Sequence, residues 1–283
     1  MKITSKTTLL LTALIAGLSF TSYAQTTFVG GSFNNDLGQD GLVGVEANWE
    51  TDDAIPVNEL PNTANGYSSS NPGILNANAT VDGSQVYSNL HIRQTGGAVT
   101  QDDQGGNSYN FAGGSYIMEG GTWETRRGLG INADQTFTID GGDWAQITGG
   151  GGDSATTVNT DGVLNIDSGS FTISTDSLFN RGGTITVNGG TLDVLTTFGN
   201  ASFNGDGGTT NFDGGITTIN NLNFAGGTGL MNFGGSNVGS VSAANLAGNF
   251  TFDWSAGSLM SLTVTGFNQA SYEGLFSSGD LLY

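Results

Sequence analysis

Apolar and polar residues alternate along the middle of the chain in short bursts. Phe137 and Ile139 flank Thr138, Leu164 and Ile166 flank Asn165, and Ile185 and Val187 flank Thr186. After a brief break the alternation resumes: Phe171 and Ile173 flank Thr172, and Leu192 and Val194 flank Asp193. A period of two puts one set of side chains on one face of an extended chain, whereas a helix repeats every 3.6 residues. Bounded by Gly, Asn and Asp, such bursts predict short strands with one buried face. Between residues 90 and 250 no stretch carries an amphipathic pattern of helical length.

The breaks themselves repeat. Met118-Glu119-Gly120-Gly121-Thr122-Trp123 is followed by Ile139-Asp140-Gly141-Gly142-Asp143-Trp144 and by Ile166-Asp167-Ser168-Gly169-Ser170-Phe171. Val187-Asn188-Gly189-Gly190-Thr191-Leu192 and Phe212-Asp213-Gly214-Gly215 come next, with Phe233-Gly234-Gly235 a degraded copy. From Met118 the steps are 21, 27, 21 and 25 residues. Similarity at this interval marks a solenoid, whose units bury their apolar faces only against one another. The predicted fold is therefore all-β, a single-stranded parallel β-helix. Met118, Ile139, Ile166, Val187 and Phe212 would form one interior column, and Trp123, Trp144, Phe171 and Leu192 a second. Residues 90–250 would supply about seven coils at the spacing of paired strands.

The flanks read differently. Residues 1–24 combine Lys2 and Lys6, an apolar run from Leu9 to Leu18 and a small-residue site at Ser22-Tyr23-Ala24, the pattern of a secretory signal peptide cleaved after Ala24. Residues 25–88 hold Pro56, Pro61 and Pro72 and predict an irregular N-terminal cap, followed by repeats over 89–249. Residues 250–283 predict a C-terminal cap with strands at 250–254 and 261–264 and a short helix over 268–277. The apolar ending Leu281-Leu282-Tyr283 suggests a truncated C-terminus.

Composition narrows the function classes. With 48 glycines and 3 prolines among 283 residues, the chain suits constant corner-turning. Beyond the leader, Arg93, Arg126, Arg127 and Arg181 face all 25 acidic residues, within a formal net charge of −19 for the whole chain. Such a surface repels nucleic acid and anionic membranes and favours cations. There is no cysteine, hence no disulfide or thiolate chemistry. Beyond the leader, no apolar run is long enough to span a bilayer, so the chain is not expected to be an integral membrane protein.

Ala47-Asn48-Trp49, Leu60-Pro61, Ala79-Thr80-Val81 and Ser88-Asn89-Leu90-His91-Ile92 resemble the entry to bacterial autotransporter-associated β-strand repeat proteins and their PEP-CTERM-type relatives. Gly266-Phe267-Asn268-Gln269 through Gly279-Asp280-Leu281 looks like the stretch that precedes a PEP-CTERM sorting tail. The resemblance implies a right-handed parallel β-helix at the cell surface or in extracellular matrix, mostly without an assigned activity. Neither a Val-Pro-Glu-Pro tail nor an outer-membrane barrel pattern is present.

Several residues invite chemistry. Asn159-Thr160-Asp161-Gly162 resembles the first catalytic motif of polygalacturonases, which would make Asp161 a general acid, but that family's Gly-His-Gly and Arg-Ile-Lys motifs are absent and the sequence is what a β-turn prefers. A lyase would need a base, and Arg126-Arg127 is the one basic pair beyond the leader, although these arginines also suit simple pairing with Glu119 or Glu124. Glu119, Asp140, Asp167 and Asp213 recur at equivalent corner positions and are candidate calcium ligands, against the reading that Asp and Asn merely suit turns. Trp123 and Trp144 offer either a sugar-stacking platform or a buried aromatic column. His91 is the sole histidine. The expectation is a secreted, non-enzymatic structural or adhesive solenoid whose partners are extracellular glycans or matrix, with no cofactor beyond calcium. A polysaccharide-active enzyme is the alternative.

Overall fold

The structure, a computed structural model, describes residues 26–28, 31–33, 49–51, 56–57, 63–76, 78–82, 86–102, 109–147, 155–199 and 207–266. The expected leader and the helix over 268–277 lie outside these residues. Among the described residues twenty-one strands join one hydrogen-bonded system, and nearly all neighbours run parallel. The exceptions among the named strands are Trp49–Thr51 against Thr26–Phe28 and against Pro56–Val57, both in the N-terminal segment. Among the described residues there is no α-helix, only a 3-10 turn at Thr63–Asn65.

Each full coil visits three sheets in turn, so the cross-section is a triangle. The first sheet contains 135–139, 163–166, Thr184–Val187 and Thr209–Phe212. From Gln94 its interior column runs through Met118, Ile139, Ile166, Val187, Phe212 and Phe233 to Trp254, about seven turns, and Leu75 continues it below Gln94. The second sheet stacks Val99, Trp123, Trp144, Phe171, Leu192, Thr217, Val241 and Leu262. Both columns expected from the repeat are present. A third sheet, which the repeat phrases do not reveal, holds Leu129–Ile131, Thr156–Asn159 and Ser177–Arg181 and stacks Leu129, Thr156, Leu178 and Phe198. The strands at 250–254 and Met260–Val264 continue the same parallel register.

The three inner faces fill the triangle. Trp123, Trp144, Phe137, Phe171 and Phe198 are fully buried, and Trp144 stacks on Phe171 with ring centroids 4.2 Å apart. Each such side chain contributes roughly 1.5–3 kcal/mol of burial. Gln94, fully buried among these side chains, is bonded at both ends of its amide: the Tyr116 hydroxyl donates to Gln94 Oε1 (2.9 Å), and Gln94 Nε2 donates to Thr122 O (3.2 Å). Burial pushes the Tyr116 phenol pKa up, which keeps it a neutral donor.

The first corner, between the first and second sheets, explains the recurring glycines. Gly169 adopts φ +74°, and a Cβ there would run into the Gly142 carbonyl of the coil below. At such a position the corner stacks backbone on backbone and leaves no room for a side chain. On the outside, amides of adjacent coils bond in ladders: Asn159 to Asn132, Asn232 to Asn211 and Asn245 to Asn221, each at 2.8 Å. In-register stacking of like amides produces this pattern.

Candidate functional site

The corner acids fall on one edge of the solenoid, but their register is broken. Asp140 pairs with Ser168 rather than Asp167, because the corner slips between Ile139 and Asp143. Ser168 Oγ donates to Asp140 (3.2 Å), Ser170 Oγ to Asp143 (2.6 Å) and Asn188 Nδ2 to Asp167 (2.5 Å). Glu119 meets Arg93 at 3.4 Å, an ion pair with both side chains about a third exposed. Neutral donors and one arginine thus separate carboxylates that a strict ladder would set against one another. Among the described residues no group of three or more His, Asp or Glu side chains is arranged to hold a metal ion.

The candidate catalytic residues occupy different corners. Arg126 and Arg127 lie where the second sheet gives way to the third, in a bend in which Thr125 Oγ1 accepts from Arg127 N (3.0 Å) and donates to Arg127 O (2.8 Å). Asp161 lies at the third corner, beyond the strand Thr156–Asn159. There Gly162 N donates to Asn159 O (2.8 Å) and Asp161 takes φ +61°, so Asn159-Thr160-Asp161-Gly162 is a β-turn. The coil below repeats it, with Gln135 N to Asn132 O (3.1 Å) and Asp134 also at φ +61°. The structure does not bring Asp161 and the two arginines to one corner.

Trp123 and Trp144 are 1% and 0% exposed and belong to the core column, so neither is a surface platform for a sugar. His91 lies 3.0 Å from Thr63 Oγ1 and 2.9 Å from Ser115 Oγ, and desolvation lowers its pKa.

A groove that none of the sequence motifs marks runs along the first corner toward the C-terminal coils. It has a volume of about 790 Å³, within the range of small-ligand sites, and is open to solvent. Asp167, Asn188, Ile216, Asn237, Val238 and Ser240 line it, with Ser261 beside them. The corner lengthens here: eight positions separate Phe233 from its inward counterpart Val241, against five between Phe212 and Thr217. The longer loop folds back, and Asn237 Nδ2 reaches two coils down to Asn188 O (3.1 Å). In sequence, the available signals are Ile216, apolar where earlier repeats have Thr122, Asp143, Ser170 and Thr191, and the degraded Phe233-Gly234-Gly235 copy.

Fold and surface together define a parallel β-solenoid with a filled interior and bonded polar ladders outside. No family model, no curated protein and no solved structure matches the chain. Among the described residues no helix is long and apolar enough to cross a membrane.

Proposed function

We propose that this protein is a secreted, non-enzymatic β-solenoid with a structural or adhesive role at the cell surface or in extracellular matrix, akin to the autotransporter-associated and PEP-CTERM-type repeat proteins its sequence resembles. Its action is presentation: a long, acidic, hydrogen-bonded surface offered to glycans or matrix polymers. The observation that carries the reading is the distribution of its polar chemistry. Asp161, the arginine pair and the corner acids sit on separate corners, most of them bonded to neighbouring coils, while the interior is closed by aromatic and aliphatic side chains. A hydrolase or lyase needs an acid and a base facing one bond.

The test is to express the full chain with an internal epitope in a bacterial host and fractionate the culture. Export predicts epitope in the medium or accessible to external protease, with loss of residues 1–24 visible by mass. An intact leader and an epitope confined to the cytoplasm would sink the reading.

A further inference from the structure

The groove beside the lengthened corners departs from a rule that the solenoid otherwise keeps. The first outward position of the second sheet runs Ala98, Thr122, Asp143, Ser170, Thr191, Ile216, Ser240, Ser261, small or polar at every level but Ile216. Ile216 is 57% exposed, and Val238, in the lengthened corner, is 79% exposed. Lone exposed aliphatics need no explanation. These two line the same groove on an otherwise polar edge, together with a carboxylate and two amides.

The polar groups have capacity to spare. Asp167 Oδ1 accepts from Asn188 Nδ2 (2.5 Å), which leaves Oδ2 for a ligand donor. Asn237 spends Nδ2 on Asn188 O (3.1 Å), which leaves its side-chain carbonyl as an acceptor. Ser240 adds a hydroxyl, and the backbone at Gly189, Gly215 and Gly239 completes part of the lining. Among the described residues no Lys, Arg or His lines the groove.

We propose that this groove is a subsite for a neutral saccharide unit within a longer polysaccharide. The C–H face of the ring lies against Ile216 and Val238, and adjacent hydroxyls donate to Asp167 and Asn237. Hydrogen bonds to an ionised carboxylate are the stronger kind, and a sugar supplies donors in pairs. A carboxylate with no cation beside it disfavours uronates and sulfated glycans, which selects for neutral chains. The proposal rests on the glycan-presenting reading above and narrows it to one place and one ligand class.

The test is affinity gel electrophoresis of the full chain in neutral β-glucan, xylan, mannan and galactan, with alginate and polygalacturonate as acidic counterparts. Ionic strength is kept near physiological so that long-range charge effects are screened. Two substitutions follow the protein's own pattern: Ile216→Thr installs the residue type of positions 122 and 191, and Asp167→Asn the amide of position 188. Val238→Ser alters a side chain that is almost fully exposed. The expected result is retardation in at least one neutral polymer. The Ile216→Thr/Val238→Ser pair should weaken it about tenfold and Asp167→Asn several-fold, with melting temperature unchanged. If the pair melts early, Val238→Ser alone carries the test. Neutral-glycan binding unchanged in all variants would overturn the groove while leaving glycan presentation standing. Retardation in acidic polymers only would do the same. Retardation in none would overturn the groove as well, and the export experiment then judges the wider reading by itself.

Discussion

The coils from Met118 to Leu192 and those from Phe212 to Val264 follow one blueprint and spend it differently. In the first group the inward aromatics Trp123, Trp144 and Phe171 stand in the second-sheet column, and Thr, Asp and Ser open each second-sheet strand. In the second group the corners after Phe233 and Trp254 lengthen, and Ile216, Val238, Leu259 and Trp254 are exposed. The inward columns nevertheless continue in register to Val264. A solenoid with intact columns can therefore accept extra residues at a corner, because the corner carries no core side chain. Stability resides in the columns, and variation collects at the corners.

The sharpest break of this contrast compares two tryptophans. Trp144→Ala, within the column, should cost about 3–5 kcal/mol in denaturant unfolding. Trp254→Ala, stacked on Phe233 at 4.2 Å but 45% exposed, should cost about 1–2 kcal/mol. Equal losses would mean that the C-terminal coils are as tightly held as the middle. Corner glycines come next. Gly169→Ala combines a positive φ with a backbone clash and should cost roughly 3 kcal/mol, whereas Gly257→Ala, at φ +83° with nothing within 4 Å, should cost about 1 kcal/mol. Comparable melting of the two variants would refute close stacking as the reason for glycine at the first corner.

Smaller effects sharpen the comparison. Tyr116→Phe removes the donor to Gln94 Oε1 and should lower stability by about 1–2 kcal/mol, measurable as an early urea midpoint. His91, with its pKa lowered by desolvation, binds its proton more readily in the unfolded chain. Its contribution is intact above the unfolded value of about 6.5 and is lost as the pH falls from there through the folded pKa. His91→Gln should flatten that part of the stability–pH curve; an unchanged slope would assign it to other groups. Last, Ile216→Thr should leave stability within about 0.5 kcal/mol of the parent, since an outward corner position bears little of the core.

Much of this architecture was legible in the sequence because two of its three columns announce themselves. Val187 and Leu192 bracket Gly189-Gly190 at the same spacing as Met118 and Trp123 around Gly120-Gly121, and the registers bear this out. The third sheet stayed hidden for a physical reason. Its strands, such as Leu129-Gly130-Ile131 and Thr156-Thr157-Val158-Asn159, are short and partly polar, and they follow connections of differing length that blur the period. The slip that sets Asp140 beside Ser168 depends on corner geometry, which alignment of the phrases conceals. Buried Gln94 reads as a surface residue until Tyr116 is seen to satisfy it. The groove needs a loop to fold across two coils, a relation that no local motif encodes.

On the function proposed above, this solenoid would hold polysaccharide without cleaving it. The most direct measurement incubates the full chain, with calcium present, with neutral and acidic polysaccharides and records bound protein, reducing ends and unsaturated products in the same samples. The account predicts retention on a neutral polymer with no product above a protein-free control. Product that disappears in Asp161→Ala or Arg126→Ala would contradict it and make this chain a carbohydrate-cleaving enzyme.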